Sequence, residues 1–486
     1  MSASAAAPDL AASGLRRSLQ RRHMQMIALG GVIGAGLRRS LRRRHMQMIA
    51  LGGVIGAGLF VGSGVVIGSA GPAAVISFAL TGTLVVLVMR MLGEMAVAYP
   101  AVGGFYEYNR LALGELAGFL TGWMYWYFWV IVVALEAVAG AKILGLWWPG
   151  VAPWEYTLAL LSLFTVINLL SVRSYGEAEF WFASIKVAAI VAFLCAGTVF
   201  ALGAWPGAHG GIAALTAYGG FMPNGIVPVL TGAVAATGFY FGAEIVTIAA
   251  AESAEPERAV AETTQSVIWR VLVFYIGSIF LVVAIVPWKD PVRMAHPYVS
   301  VMEELRVPAA ATLMSLVVLT AVLSALNSGL FASSRMLMAL AGRADAPGAF
   351  SRLDTRGVPV AAILASTAFG YVTVVMSYVS PDRIFAFLVN SYGTVAIFVY
   401  VLIAIAELRL RRRLELDEPA RLLVRMWGYP WLTRLTIAAM LAIVAAMAVI
   451  PEQRLALLFG LVSVAVLLAA HALRLRFPVH RQGAFR

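Results

Sequence analysis

Apolar residues run along the chain in blocks of about 20, enough for an α-helix to cross a hydrocarbon core, with polar residues gathered between the blocks. Read with that window, the pattern predicts about twelve helices, centred near Gly56, Val85, Val130, Leu161, Ile190, Ala235, Ile276, Val318, Ala368, Val395, Ala439 and Val464. Two of these blocks are interrupted. The first contains Gly52-Gly53-Val54-Ile55-Gly56-Ala57-Gly58-Leu59-Phe60, a glycine cluster that weakens a helix without any proline. The second is Thr231-Gly232-Ala233-Val234-Ala235-Ala236-Thr237-Gly238-Phe239-Tyr240-Phe241-Gly242-Ala243-Glu244. Unwound backbone at membrane depth is tolerated only where it faces protein or a wet cavity, so its peptide groups become available to a ligand. Interrupted spans in matching halves are the pattern of a secondary transporter.

Composition agrees with the block pattern. The 486 residues are 61% hydrophobic and 12% charged, with a mean hydropathy of +0.87, far beyond a soluble domain. The formal net charge of +12 would suit a nucleic-acid binder, but the arginines gather at segment ends rather than along one face. The partners indicated are a lipid bilayer and a small solute, and no nucleic acid. Cys195 is the only cysteine, so no disulfide framework can form. The six histidines lack metal-ligand spacing, which leaves a metalloenzyme without its centre.

Arginine concentrates at the N-terminus, at Arg173, Arg258, Arg343, Arg352 and Arg356, and over residues 409–425, all in alternate loops. Residues 144–154 and 203–225 carry no lysine or arginine, although Lys289, Arg293 and Arg306 break the pattern in a third loop of that side. The positive-inside rule then places both termini in the cytoplasm. Leu15 to Gly36 recurs as Leu37 to Gly58 with one difference, Gln20 against Arg42. The first copy's apolar run is too short to span and ends on Arg38 and Arg39, so it is expected to stay outside the bilayer. The pattern divides the chain into a tail over 1–44, ten spans over 45–408, a basic loop over 409–429, two further spans over 430–475 and a tail over 476–486.

The candidate chemistry lies at the interruptions and at buried charges. Amides over Val54, Ile55, Gly56, Ala57 and Gly58 suit a carboxylate, since the start of a helix favours an anion. The spacing from Gly52 to Gly56 would also permit tight helix packing, but the cluster's glycines do not share one face. In the second interruption, carbonyls around Thr237, Gly238 and Phe239 suit an ammonium, and Phe239, Tyr240 and Phe241 offer aromatic cover or ordinary packing. Intramembrane ionisable residues are costly and mark function by default. Glu136 could face an amine or bond a neighbouring helix, and Glu244 could relay a proton or tie down the break. Lys186 could exchange a proton or snorkel to the interface. Glu94, close to Arg90, reads as a structural ion pair. Asn327 and Ser328 could line a cavity or bond a neighbouring helix.

Four stretches carry a resemblance: Gly53-Val54-Ile55-Gly56-Ala57-Gly58-Leu59-Phe60, Met89-Arg90-Met91-Leu92-Gly93-Glu94-Met95-Ala96, Gly176-Glu177-Ala178-Glu179-Phe180-Trp181-Phe182 and Gly242-Ala243-Glu244-Ile245-Val246-Thr247-Ile248-Ala249-Ala250-Ala251-Glu252-Ser253. Together they resemble the amino acid transporter branch of the amino acid-polyamine-organocation superfamily. Ser266-Val267-Ile268-Trp269-Arg270, Gly220-Phe221-Met222-Pro223-Asn224-Gly225 and Ser334-Arg335-Met336-Leu337 are most similar to its γ-aminobutyrate permeases. The resemblance implies an all-α polytopic protein in which the first ten spans form a five-plus-five inverted-repeat (LeuT-like) core with broken helices 1 and 6, and the last two are peripheral helices. It implies proton-coupled uptake into a bacterial cell across the inner membrane, with the proton as coupling ion and no cofactor. The carboxylate site would fall on Ile55 to Gly58, the proton-coupling lysine on Lys186 and the third-helix acid on Glu136. Two departures stand out: Ala57 replaces a hydroxyl residue common among relatives, and Gly103-Gly104-Phe105 replaces the usual Gly-Ser-Phe. The expected solute is a small zwitterionic amino acid, γ-aminobutyrate first, with another neutral or aromatic amino acid as the alternative substrate and a non-transporting sensor as the alternative class. Oligomeric state is not legible in the chain.

Overall fold

The computed structural model describes residues 55–99, 104–170, 175–205, 215–242, 244, 256–355 and 357–476; Val54, the duplicated N-terminus and most of the run after Gly242 lie outside it. In chain order, a wide-turned segment, Gly58–Gly62, leads into α1 (Ser63–Ala70), and α2 (Ala74–Ala98), α3 (Phe105–Leu113), α4 (Glu115–Trp147), α5 (Pro153–Leu170) and α6 (Tyr175–Ala201) follow. The second half opens on α7 (Ile226–Tyr240), then α8 (Pro256–Trp269), whose wide-turned continuation Arg270–Gly277 enters α9 (Ser278–Ile285). Two short helices, α10 (Pro291–Met294) and α11 (Pro297–Glu304), precede α12 (Ala310–Gly342), α13 (Val360–Val379), α14 (Pro381–Asp417), α15 (Trp431–Val449) and α16 (Pro451–Arg476).

Ten helical stretches among the described residues are long and apolar enough to cross a membrane. The first, Gly58–Ala98, contains two passes, because Gly71 at φ 64° turns the chain sharply between α1 and α2. Helix α7 falls short of the spanning length only because it is one half of a broken pass. Counted this way, the twelve expected segments are all present, and every described element is helical or turn.

The core sits around α4, 78% of whose apolar window is buried, against 28% and 17% for α15 and α16, which lie at the periphery. Hydroxyls stitch α2 to α7 across the two halves: Ser77 donates to the Val229 carbonyl at 2.8 Å and Thr81 to the Ala233 carbonyl at 3.0 Å. Helix α14 approaches α7 so closely that a Cβ on Gly393 would overlap the Val234 carbonyl oxygen. The short helices α10 and α11 cap α1, where a Cβ on Gly64 would overlap the Met294 carbonyl.

Two local arrangements differ from expectation. Glu94 takes its ion pair from Arg411 on α14, at 2.5 Å, together with the Met426 amide, while Arg90 donates to the Arg425 carbonyl and lies over the Trp427 ring. The expected partner is displaced because α14 delivers a guanidinium into a site that Arg90 only borders. The expected basic loop begins on a helix, since α14 continues to Asp417 and carries Arg409, Arg411, Arg412 and Arg413. The C-terminal helix is also tied down: Asp345 accepts from Tyr106 at 2.6 Å, from Arg110 at 2.7 Å and from Arg474 of α16. Burial and the Asp345 carboxylate push the Tyr106 phenol up, so it remains a donor in that cluster.

Candidate functional site

The first interruption begins with non-helical Ile55 and Gly56 and proceeds through Ala57 into the π-helical turns of Gly58–Gly62. Such wide turns are uncommon and concentrate at functional sites. None of the described glycines here needs a left-handed conformation. They provide clearance instead. A Cβ on Gly56 would stand 2.6 Å from the Glu136 Oε1, one on Gly58 would stand 2.5 Å from the Phe239 ring and 2.9 Å from the Tyr392 hydroxyl, and one on Gly62 would meet the same Phe239 ring at 2.8 Å. Into the space left by Gly56 comes Glu136 from α4, and the Ala57 N–H donates to both its carboxylate oxygens at 3.1 Å. A carboxylate at the opening turn of a helix is where the peptide dipoles favour an anion.

At the second interruption α7 runs unbroken through Thr237, Gly238, Phe239 and Tyr240. The break falls one step later, at Phe241, whose backbone is extended (φ −66°, ψ 141°), and Gly242, at φ 107°. That dihedral suits glycine alone without strain. Gly238 instead gives room for Tyr392, whose ring would lie 2.6 Å from an added Cβ. The carbonyls expected to receive an ammonium are partly engaged: Gly238 accepts from the Phe241 amide at 3.2 Å, and Phe239 accepts from the Tyr275 hydroxyl at 2.9 Å. Glu244 closes the break on itself, accepting the Gly242 N–H at 2.8 and 2.9 Å, with Tyr125 close by.

Between the two interruptions lies a cavity of about 40 Å³, room for a few waters in this conformation. Of the residues singled out in the sequence, Gly56, Gly58, Glu136, Gly238, Phe239 and Phe241 line it, and so does Ser328. Ile55 and Ala57 are buried beside it, Ala57 contributing its amide. Thr237 and Tyr240 turn elsewhere: the Thr237 hydroxyl bonds back to the Ala233 carbonyl at 2.8 Å, and the Tyr240 hydroxyl donates to the Phe78 carbonyl of α2 at 3.0 Å. Asn327 accepts from Asn168 at 2.8 Å, a link between α12 and α5. Lys186 is fully buried away from the lining and donates to the Ser324 hydroxyl at 3.0 Å, near enough for its charge to act on Glu136.

Sequence reasoning missed much of the wall. Phe128, Trp129, Val132 and Leu135 from α4, Ala325 from α12 and Tyr392 from α14 complete the lining. Phe241 packs 4.2 Å from Phe128 between ring centres, and Tyr392 lies 5.5 Å from Phe128 and 5.8 Å from Phe239. On α4, the step from Phe128 through Val132 to Glu136 is a helical i, i+4 stripe, a signal that the acid alone did not reveal.

A cavity bounded by two broken helices, with an acid at one break and aromatic rings closing the other, defines a membrane permease site. The model of the amino acid permease family matches residues 45–481, and the chain belongs to that family. It is 49% identical over 466 residues to the gamma-aminobutyric acid permease of Bacillus subtilis (strain 168), covering 96% of this chain and 95% of that one. The gamma-aminobutyric acid permease of Escherichia coli (strain K12) is 45% identical, with 92% of each chain covered. The aromatic amino acid transport protein AroP of Corynebacterium glutamicum is 41% identical, covering 89% of this chain and 90% of its own. Among solved structures, a manganese transporter of Eremococcus coleocola (mutant H236A) superposes with a TM-score of 0.54 at 12% identity, over 88% of this chain and 92% of that one. At that identity the likeness concerns the fold, which is the inverted-repeat core with broken helices 1 and 6. The chain is thus a multi-pass membrane amino acid permease.

Proposed function

We propose that this permease imports γ-aminobutyrate together with protons, by alternating access, across the plasma membrane of a bacterium, with both termini cytoplasmic, no cofactor and no enzymatic step. The observation that carries the substrate is the 49% identity, over nearly the whole length, to a relative named for that solute. The cavity supports it: Glu136 offers a carboxylate to an ammonium, and the glycine-cleared backbone of Gly56 and Gly58 lets a small solute approach between the breaks. The present cavity of about 40 Å³ must widen to admit a solute, so binding couples to a movement of Phe239, Phe241 or the helices that bear them.

Lys186 is the proposed proton-coupling group. Its buried amine reaches from α6 to Ser324 of α12, within electrostatic range of Glu136 on α4, so loading or unloading it biases one conformation over the other. Glu244 is proposed to act by holding the second break closed on itself rather than by relaying a proton. A second substrate reading, an aromatic amino acid, is favoured by the ring-lined wall and by the 41% identity to an aromatic amino acid transport protein.

Uptake by the purified chain in proteoliposomes tests both readings. γ-Aminobutyrate should accumulate only under an inward proton gradient, and excess unlabelled γ-aminobutyrate should compete better than phenylalanine, alanine or serine. Accumulation that ignores the gradient rejects the coupling, and stronger competition by phenylalanine exchanges the substrate. Lys186→Ala should abolish gradient-driven accumulation.

A further inference from the structure

Tyr392 projects from α14 between the two breaks. Its ring lies where a Cβ on Gly238 would stand, and its hydroxyl lies 2.9 Å from where a Cβ on Gly58 would stand. It is only 3% exposed, and its hydroxyl oxygen has no hydrogen-bond partner. Burying a hydroxyl without a partner is unfavourable, and such orphans in a folded protein call for an explanation. The surrounding rings, Phe128 and Phe239, hold it in place but offer it no acceptor.

The other polar groups of the cavity are differently disposed. Glu136 is an acceptor and already holds the Ala57 amide. The side chain of Ala57 has no hydroxyl to give. Among the lining side chains, the Trp129 indole N–H is turned to Tyr125, whereas the Tyr392 hydroxyl is a buried donor with no partner. A zwitterion entering this space therefore meets a carboxyl acceptor at one place and an uncommitted hydroxyl donor at another. Its ammonium is drawn to Glu136, and its carboxylate to the Tyr392 hydroxyl.

We infer that the Tyr392 hydroxyl is a substrate-recognising donor that receives the solute's carboxylate beside Gly58. This rests on the permease reading of the cavity and deepens it by assigning the solute's polarity. Since the donor and Glu136 come from different helices, α14 and α4, their separation sets which spacing of amine and carboxylate fits. Tyr392 is then a determinant of selectivity between amino acids of different chain length.

The test compares γ-aminobutyrate with butylamine, the same carbon chain without the carboxylate, as ligands for the full chain and for Tyr392→Phe in lipid nanodiscs. Phenylalanine keeps the ring packing and removes only the hydroxyl. Losing a hydrogen bond to a charged group should weaken γ-aminobutyrate by about ten- to a hundredfold and leave butylamine within about twofold. Equal weakening of both ligands, or of neither, overturns the assignment. Uptake assays on the variant should show the loss in KM, with the maximal rate reduced less. If the unaltered chain ignores γ-aminobutyrate, the proposed substrate has failed, and the inference is tested with whichever amino acid it does transport and the amine left when that amino acid loses its carboxylate.

Discussion

The two interruptions are built in opposite ways. The first is held in trans: the Ala57 amide is satisfied by Glu136, which arrives from α4. The second is held in cis: Gly242 turns at φ 107° and its amide is satisfied by Glu244, two residues on. A cis-capped break is a property of its own segment and survives movement of the surroundings. A trans-capped break depends on where α4 stands relative to α1, so it reports and constrains that relationship. The first interruption is therefore the conditional element, the one whose geometry changes when helices shift, and the second is a preformed corner.

Substitutions can break or sharpen this contrast. The largest effect is expected from Gly393→Val, which forces a side chain into the Val234 carbonyl on the helix leading to the second break; backbone cannot yield there, and folded yield on size-exclusion chromatography should collapse. Glu136→Ala should remove about 1.5–3 kcal/mol of stabilisation at the first break and abolish uptake while leaving folded protein. Glu244→Ala should lower the thermal midpoint by a similar interaction, about 1–3 kcal/mol, yet keep more uptake than Glu136→Ala. Equal loss of uptake in the two would erase the distinction between conditional and preformed breaks. Tyr275→Phe, which releases the Phe239 carbonyl, should cost about 0.5–1.5 kcal/mol in a thermal melt and change uptake modestly.

The smallest effect concerns His296, at the start of α11 over α1. Burial lowers its affinity for a proton and Lys142 acts in the same sense, against Glu303 and Asp290. With the folded-state value below the unfolded one, the unfolded chain binds more protons as pH falls. Stability should therefore be full above the unfolded value of about 6.5 and decline below it. His296→Gln should flatten that decline, seen as a thermal midpoint that no longer drops between neutral and mildly acidic buffer.

The passes were legible because hydrocarbon permits little besides apolar helices of a set length. Buried charges such as Glu136 and Lys186 were legible because their cost makes them stand out in an apolar run. The roles of the glycines were not. Gly238 and Gly58 looked like helix breakers, but they make room for Tyr392 and Phe239, and only the close approach of α14 and α7 to the first break shows it. Gly242, one glycine among several in that block, takes the left-handed turn. The aromatic wall stayed hidden for a related reason. Tyr240 and Phe241 are neighbours of similar character, yet one serves an interhelical bond and the other the cavity, a choice fixed by the dihedral of a single residue. The wall from α4 and α14 also required knowing which helices meet, as Tyr392 has nothing in its own surroundings to distinguish it from a residue facing lipid.

Helix α14 has 37 residues, roughly 55 Å of rod against about 30 Å of hydrocarbon. Its far end must stand clear of the bilayer, and Tyr392 rides on the same rigid body. Any tilt imposed where the solute is held is magnified at Asp417, as a needle magnifies the turn of its pivot. A spectroscopic label placed there would let an observer in the aqueous phase read occupancy of a chamber deep inside the membrane.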